Sequence, residues 1–320
     1  MKKIGVLTSG GDAPGMNSCI RAVVRTAIKN NVEVVGISEG YQGLINGDLA
    51  DMDARDVGGI IQQGGTILKT ARSEEFKTKK GQREAIREIN ESGIDGMVII
   101  GGDGSLRGAR ALAEQGIKVV GVPASIDNDI YGTKMSIGVD TALNTIIRAI
   151  DQLRDTASSH NRAFLVETMG RNCGYLALIG SIIGGAEYVL LPEIEYNVQD
   201  VAGVIEESYM KGKNHAIIVV AEGAMFNATR LSQGLKDLDV GFKTRVTILG
   251  HVQRGGSPTA FDRLLGSRLG TKAVQGLISG KTDVMVGLQD HKMAVVPLAE
   301  VVDQKRALET EYLDLFKFVS

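Results

Sequence analysis

Short runs of β-branched apolar residues alternate with longer amphipathic stretches along the chain. KKIGVLTS, GMVIIGG and KVVGVPA are typical of strands, whereas SCIRAVVRTAIKN and GQREAIREINESG have the apolar spacing of helices. This alternation predicts parallel strands with helices packed on both faces of the sheet. Such strands are buried on both faces and should be continuously apolar, as these runs are. The sequence therefore predicts an α/β fold.

The alternation continues after residue 140, where AFLVETM and HAIIVVAEG predict further strands. The full length of 320 residues exceeds what a single hydrophobic core usually serves. We therefore expect two α/β lobes, with a junction near residues 138–141.

Composition excludes several classes of function. The formal net charge is −2, so no global positive field attracts nucleic acid. The two cysteines form no CxxC pair and the four histidines are scattered, so no zinc-binding spacing is present. The N-terminus becomes glycine-rich too early for a signal peptide, and CGYLALIGSIIGGA is too short to span a bilayer. These features predict a cytoplasmic protein without nucleic-acid or membrane partners.

Three glycine-rich turns follow predicted strands, at residues 10–15, 101–105 and 255–256. Glycine lets backbone N–H groups approach an anion closely, and the N-terminus of a following helix attracts negative charge. The first turn has the glycine spacing of a Walker A loop, but Met16 stands where that motif requires lysine. The second turn lacks the third glycine of the dinucleotide fingerprint. Any one of these turns is consistent with an ordinary tight connection, whereas three together favour a phosphate site.

Three aspartates follow the predicted strands GMVIIGG and KVVGVPA. Asp103 lies inside the second turn, where a carboxylate would repel phosphate unless a cation lies between them. Mg²⁺ accepts one or two carboxylates together with phosphate oxygens, so Asp103 is a candidate Mg²⁺ ligand. Asp127 and Asp129 follow KVVGVPA, and two close carboxylates are costly to bury without pairing partners. Taken alone, that pair fits a helix cap or an Asx-turn as well as a catalytic site.

Several motifs occur in order along the chain: LTSGGDAPGMN, IGGDGS, PASIDNDI, RDTASSH, ETMGRNCG, VAEG and LGHVQRGGSP. GGDG alone also occurs in NAD kinases and diacylglycerol kinases, but the whole set resembles the bacterial ATP-dependent 6-phosphofructokinases over essentially the full length. The resemblance implies two Rossmann-like lobes, each a mostly parallel sheet covered by helices on both faces. It implies a larger ATP-binding lobe of residues 1–138 plus 251–304, and a smaller fructose 6-phosphate-binding lobe of residues 139–250 plus 305–320.

The same resemblance implies the reaction of a glycolytic kinase. The γ-phosphoryl of MgATP would pass to the 1-hydroxyl of D-fructose 6-phosphate, giving fructose 1,6-bisphosphate and ADP. Asp127 corresponds to the family's general base, and Asp129 to its neighbour near the metal and the sugar. Arg72 and Arg171 correspond to side chains that bridge the transferring phosphoryl group, and Gly11 lends a backbone N–H to the same region.

Two larger groups of residues match the family's substrate sites. The ATP group is Gly11, Tyr41, Arg72, Ser73, Phe76, Gly102, Asp103, Gly104, Ser105 and Gly108. The sugar-phosphate group is Ser125, Asp127, Asp129, Arg162, Met169, Gly170, Arg171, Glu222, Arg245, His251 and Arg254. In the family, Arg162 and Arg245 reach the sugar phosphate from a neighbouring subunit, so the resemblance implies a homotetramer.

A further group matches the family's allosteric site, where ADP activates and phosphoenolpyruvate inhibits. Arg21 and Arg25 are four residues apart and share one face of a predicted helix. One family arginine of this site is replaced by Ala54, with Arg55 beside it. The alternative is a solvated helix face together with a charged strand entry. The matching residues are Arg21, Arg25, Arg154, Gly185, Glu187, Lys211, Lys213 and His215.

Two alternatives to an ATP-dependent kinase remain open at this level. The first is a pyrophosphate-dependent or mixed-donor phosphofructokinase. Such relatives tend to have lysine at the position of Ala124 and aspartate at that of Gly104, so these two residues favour ATP. The second is a non-catalytic nucleotide or sugar-phosphate sensor on the same fold. It would require a damaged base or metal ligand, yet Asp103, Asp127 and Arg171 are all retained.

Overall fold

A computed structural model describes residues 1–236, 238 and 240–320. The chain divides into two compact units, Met1–Thr141 with Arg254–Arg306, and Ala142–Gln253 with Ala307–Ser320. Each unit is therefore assembled from segments that are distant in sequence. Among the described residues, no helix combines the length and the apolar composition that a membrane span requires.

The elements follow the predicted alternation. The strands are β1 (Lys3–Ser9), β2 (Glu33–Ile37), β3 (Leu49–Asp51), β4 (Gly96–Gly101), β5 (Val119–Pro123), β6 (Arg162–Thr168), β7 (Tyr188–Leu190), β8 (His215–Ala221), β9 (Lys243–Ile248), β10 (Val284–Gln289) and β11 (Lys292–Pro297). The helices are α1 (Met16–Lys29), α2 (Gly40–Asn46), α3 (Lys79–Glu91), α4 (Asp103–Ala113), α5 (Val139–His160), α6 (Tyr175–Gly184), α7 (Val198–Met210), α8 (Ala228–Leu235), α9 (Ala260–Ile278), α10 (Leu298–Asp303) and α11 (Thr310–Val319).

The first unit is built on a sheet whose described strands number seven, in the order β11-β10-β5-β4-β1-β2-β3. The five central strands run parallel, whereas β3 pairs antiparallel with β2, and β11 pairs antiparallel with β10. Leu7 and Ile99 of the sheet belong to one buried cluster with Ile89 and Leu106 of the covering helices. Burial of this kind is the main favourable contribution to folding.

The second unit is built on the parallel strands β7-β8-β6-β9. Leu165 and Ile218 of the central strands share a buried cluster with Ile205 and Leu231 of the covering helices. Strand β9 differs, because none of its residues is fully buried. Both units have the predicted fold class, a mostly parallel sheet covered by helices.

The order of strands in the first sheet reverses at β1. Strand β1 connects through α1 to β2 on one side, whereas β4 lies on the other side. The registers place Ser9 opposite Gly101, and Gly101 opposite Pro123, so the carboxyl ends of β1, β4 and β5 are level. In open α/β sheets, ligands bind outside the carboxyl ends of strands at such a reversal. The first unit therefore places three turns side by side at the position where a ligand is expected.

Candidate active site

The turns after β1, β4 and β5 lie against one another in the first unit. Ala124 donates its N–H to the carbonyl of Gly101 at 2.9 Å. A side chain at Gly101 would overlap Ser105, and a methyl group on Gly102 would lie 3.7 Å from Cβ of Ser125. The predicted residues Gly102, Ser105 and Ser125 are thus brought together at the end of the sheet.

The second turn has the properties of an anion site. Helix α4 begins at Asp103, so its first backbone N–H groups lack partners within the helix. Ser105 Oγ is buried and has no hydrogen-bond partner among the described residues. The Asp103 carboxylate lies 3.0 Å from Arg107 Nε, and the Asp103 side chain is 45% exposed. A helix N-terminus, an unsatisfied hydroxyl and an accessible carboxylate suit a phosphate accompanied by a cation.

The protein groups around this turn also fit Mg²⁺. In the described part of the chain, no three His, Cys, Asp or Glu side chains are arranged to hold a metal ion. Mg²⁺ does not need such a cage, because it commonly binds one or two carboxylates together with substrate phosphates and waters. Asp103 can supply such a carboxylate, since it is accessible beside the helix N-terminus.

Two stacked aromatic residues pack against the first turn of α4. The rings of Tyr41 and Phe76 stack with centroids 4.1 Å apart, and both side chains are buried. Tyr41 donates its hydroxyl to the carbonyl of Ser105 at 2.6 Å, and burial raises its pKa, so this donor stays protonated. A side chain at Gly108 would strike the Tyr41 ring. Tyr41, Phe76 and Gly108 therefore hold the start of α4 in place.

Arg72 and Ser73 lie in the segment that leads to Phe76. Ser73 Oγ donates to Gln42 Oε1 at 2.9 Å and accepts from the Phe76 N–H at 3.1 Å. Arg72 is exposed. Ser73 thus shapes this segment, whereas Arg72 offers a charged side chain to solvent or to a ligand.

The loop after β5 contains the two neighbouring acids. Asp127 is 4% exposed, and its N–H lies 3.3 Å from Ser125 Oγ. Asp129 is half-buried. A carboxylate as deep as Asp127 loses most of its hydration, which strengthens its interaction with any hydroxyl placed beside it. The loop therefore places a buried carboxylate at the same end of the sheet as the turn at residues 101–105.

Arg254 lies against the first turn. A side chain at Gly11 would overlap the Arg254 guanidinium, so glycine is what allows this approach. Arg254 Nε is buried and makes no hydrogen bond to any residue that the structure describes. A guanidinium in this position can bind phosphate oxygens through paired N–H groups.

In the second unit, the turns after β6 and β8 meet through Glu222. Its Oε1 atom accepts the N–H of Arg171 at 2.8 Å and that of Gly170 at 3.3 Å. Arg171 has a left-handed backbone with φ of 52°, and its side chain is exposed. Because Thr168 and Ala221 are paired in register, these turns lie at one edge of the sheet. Glu222 therefore shapes the turn that presents Arg171.

Gln253 is a site residue that the sequence did not indicate. Its side chain is fully buried, accepts the Met169 N–H at 3.2 Å and donates to the carbonyl of Gly250 at 2.9 Å. It thereby joins the end of β6 to the 3-10 turn Gly250–Arg254, which contains His251. The motif HVQRGG contains this glutamine, but its role depends on contacts that the spacing does not reveal.

Arg162 lies at the opposite end of the same sheet. It is the first residue of β6, whereas Met169 follows the last, so strand rise separates the two by roughly 20 Å. Arg245 lies on the edge strand β9, opposite Phe164. Arg162 therefore does not join the turn at residues 169–171 of its own chain.

The predicted effector residues of the second unit form a compact cluster. Arg154 Nη2 donates to the carbonyl of Gly185 at 2.8 Å, and its Nη1 lies 3.2 Å from His215 Nε2. Lys213 Nζ lies 3.2 Å from Glu187 Oε1. Glu187 Oε2 accepts the backbone N–H of Ile217 at 2.7 Å. The cluster thus combines an ion pair of Lys213 with the nearly buried Glu187 carboxylate and a contact between Arg154 and His215.

The pKa of His215 is lowered in this cluster. Burial is the largest cause that lowers its pKa, and the charge of Arg154 adds to the effect, against the opposing influence of Glu187. His215 Nδ1 lies 2.7 Å from Asn214 Oδ1, which can only accept, so Nδ1 carries the proton and Nε2 accepts from Arg154.

The remaining predicted effector residues belong to helix α1 and to the end of helix α7. Lys211 pairs with Glu207 of α7 at 2.7 Å. Arg21 and Arg25 lie on α1 of the first unit, half-buried and exposed respectively.

A mostly parallel α/β fold with phosphate-binding turns at a strand-order reversal defines a class of nucleotide- and phosphate-binding proteins. Residues 3–277 match the family model described as phosphofructokinase. The chain belongs to the phosphofructokinase family.

Individual relatives agree with this assignment. The chain is 52% identical over 320 residues to an ATP-dependent 6-phosphofructokinase of Natranaerobius thermophilus, and the match covers all of both chains. It is 51% identical over 321 residues to the protein of the same name from Thermotoga neapolitana, again over both full lengths. A solved phosphofructokinase from Saccharomyces cerevisiae has 40% identity and a TM-score of 0.88, covering 95% of this chain. This chain spans 45% of that yeast chain.

Proposed function

We propose that this chain is an ATP-dependent 6-phosphofructokinase. It transfers the γ-phosphoryl group of ATP to the 1-hydroxyl of fructose 6-phosphate, giving fructose 1,6-bisphosphate and ADP. The observation that supports this most strongly is the set of level turns in the first unit, where a buried Asp127 accompanies an anion site at Ser105. The full-length likeness to relatives named as ATP-dependent 6-phosphofructokinases supports the same reaction.

In this proposal, Asp127 accepts the proton of the sugar hydroxyl as its oxygen bonds to the γ-phosphorus. The bond from the γ-phosphorus to the β,γ-bridging oxygen breaks, and ADP leaves with that oxygen. Gly11 offers a backbone N–H to the moving group, and Arg72 and Arg171 offer guanidinium charge. Asp129 orients the sugar hydroxyl beside the base.

Asp103 is the proposed ligand for Mg²⁺. When bound, Mg²⁺ neutralises phosphate charge and orients the β- and γ-phosphates. Ser105 Oγ and the first N–H groups of α4 bind phosphate oxygens directly.

ATP is the proposed donor because the space beside Gly104 in the second turn is open. A methyl group on Gly104 would meet no described atom within 4 Å. An aspartate there would place negative charge where the nucleotide phosphates are proposed to lie. Ala124 is short and buried, so no long cationic side chain extends from position 124 toward the proposed phosphates.

Steady-state turnover of fructose 6-phosphate with each donor tests the proposal. With Mg²⁺ present, we expect kcat/KM for ATP to exceed that for pyrophosphate by about 100-fold, because only ATP contacts the nucleotide pocket. Chelation of Mg²⁺ should abolish turnover with ATP. Similar rates with both donors would indicate a mixed-donor enzyme. Binding of both substrates without turnover would contradict the proposal and favour a sensor.

We further propose a cytoplasmic homotetramer in which Arg162 and Arg245 complete the sugar-phosphate site of a neighbouring subunit. The distance of Arg162 from the turn at residues 169–171 of its own chain supports this arrangement. Strand β9 also supports it, because Ile248 is 56% exposed and the nearby Val252 is 62% exposed. An edge strand with exposed apolar residues is a common surface for association.

We also propose that ADP and phosphoenolpyruvate bind at the cluster of Arg154, Glu187, Lys213 and His215. The basic side chains suit phosphate oxygens, and Glu187 favours a nucleotide that carries Mg²⁺. Lys211, and Arg21 and Arg25 of α1, are proposed to add charge to this site, and Gly185 to border it. Replacement of an arginine by Ala54 removes one charge from the set.

The response to phosphoenolpyruvate tests the effector proposal. We expect this ligand to raise the apparent KM for fructose 6-phosphate in the unmodified protein. The substitution Lys213→Ala should weaken that response about tenfold, since one direct ion pair with phosphate is lost. Lys317→Ala is a matched control, because Lys317 is also an ion-paired lysine of the second unit. Saturation curves that phosphoenolpyruvate leaves unchanged would contradict the proposal.

A further inference from the structure

The two acids of the β5 loop are separated by Asn128, whose backbone is unusual. Asn128 is 1% exposed and has a left-handed φ of 54°. Residues with a Cβ seldom adopt this conformation, and asparagine tolerates it better than most. The backbone at residue 128 sets the relative directions of the residues before and after it. Its left-handed conformation therefore determines how Asp127 and Asp129 face each other.

The Asn128 side chain closes the loop on itself. Its Oδ1 accepts the N–H of Ser136 at 3.1 Å, and its Nδ2 donates to the carbonyl of Lys134 at 3.3 Å. Both partners are backbone groups eight and six residues further along the chain. The amide thus ties the acidic segment to the returning limb of the loop.

Arg306, which is not part of the loop, hydrogen-bonds to the backbone of residues 128 and 134. Its Nη1 donates to the carbonyl of Asn128 at 3.3 Å and to that of Lys134 at 2.7 Å. The neighbouring Lys305 forms an antiparallel bridge with Ile130, which aligns this distant segment with the loop. Hydrogen bonds from a charged donor are stronger than neutral ones, so this contact adds to the rigidity of the loop.

We propose that Asn128 and Arg306 are positioning residues for the phosphoryl transfer. They hold the Asp127 carboxylate in a productive direction through the backbone, and neither contacts the substrates. This inference rests on the proposed function, because it assumes that Asp127 is the base. Catalysis is sensitive to displacements of the base by about 1 Å, which can cost on the order of 100-fold in rate.

Substitutions of Arg306 and Asn128 test the inference. Arg306→Met should lower kcat about 10- to 100-fold and leave KM for both substrates within about threefold, because ground-state contacts are unchanged. Arg306→Lys should recover part of the lost rate, since an ammonium can still donate to one of the two carbonyls. Asn128→Gly retains access to a positive φ but removes both amide hydrogen bonds, so it should also lower kcat at least about tenfold.

Arg268→Met is the matched control. Arg268 also belongs to the first unit and donates to a backbone carbonyl, that of His291, at 2.9 Å. We expect it to leave kcat unchanged, with melting temperatures measured for every variant. If Arg306→Met and Asn128→Gly keep the wild-type kcat while folded, or if only KM rises, the inference is overturned. Absence of turnover in the unmodified protein would instead overturn the proposed function, and this inference with it.

Discussion

Replacing Asp127 by asparagine should lower kcat for phosphorylation of fructose 6-phosphate by about 10²- to 10⁴-fold. The amide keeps the shape of the side chain but cannot accept the proton of the sugar hydroxyl. KM for both substrates should change much less, because the lost interaction strengthens mainly in the transition state. Steady-state kinetics with ATP and Mg²⁺ measure both quantities.

Asp290→Asn is the control for that substitution. Asp290 is an exposed residue of the first unit with a left-handed φ of 45°, which asparagine also tolerates. It makes the same chemical change in an exposed side chain that is not part of the loop after β5, so kcat should be unchanged. A kcat for Asp127→Asn within about threefold of the unmodified protein would contradict the assignment of the base, given the usual size of this effect.

Mixing two inactive variants should restore activity if Arg162 acts on a neighbouring subunit. Asp127→Asn lacks the base, and Arg162→Ser lacks a charge for the sugar phosphate. In a mixed pair, one site has its own Asp127 and receives Arg162 from the neighbour, so it is intact. Random pairing across a two-fold interface makes about a quarter of all sites intact. Co-expressed, differently tagged subunits should therefore show about a quarter of normal activity at low fructose 6-phosphate.

Mixing Asp127→Asn with Arg171→Ser provides the control. Both residues are proposed to serve the site of their own subunit, so no mixed pair contains an intact site and activity should stay low. The first mixture would contradict the shared-site proposal if it were no more active than its two components measured separately. Equal recovery in both mixtures would also contradict it.

Most of the fold could be predicted from local sequence patterns. Buried parallel strands are continuously apolar, so KIGVLTS and GMVIIG identify β1 and β4 without tertiary information. The hairpin of β10 and β11 was not predicted, because its apolar residues do not form a distinct helix-strand alternation. Helix α9 begins at Ala260, and Thr259 caps it by accepting the N–H of Asp262. The sequence pattern missed this cap because α9 is buried on several sides and has little amphipathic character.

The candidate site was predictable only in part. Glycine-rich turns and the acids beside them could be located, because strand ends of a parallel sheet share one edge. Contacts between distant segments could not, such as that of Arg254 with Gly11. Asp262 is a further example, since its buried carboxylate accepts the N–H groups of Gly138 and Thr141 at 2.9 and 2.8 Å. Burial raises the pKa of Asp262 to about 6, although those hydrogen bonds oppose the shift.

The central claim is that the Asp127 carboxylate lies beside the sugar hydroxyl that receives phosphate. A crystal structure with fructose 6-phosphate and a non-hydrolysable ATP analogue measures this directly. The account predicts a carboxylate oxygen of Asp127 within about 3 Å of the 1-hydroxyl, with the terminal phosphate on the other side of that hydroxyl. A sugar bound in a cavity that Asp127 does not border would contradict it.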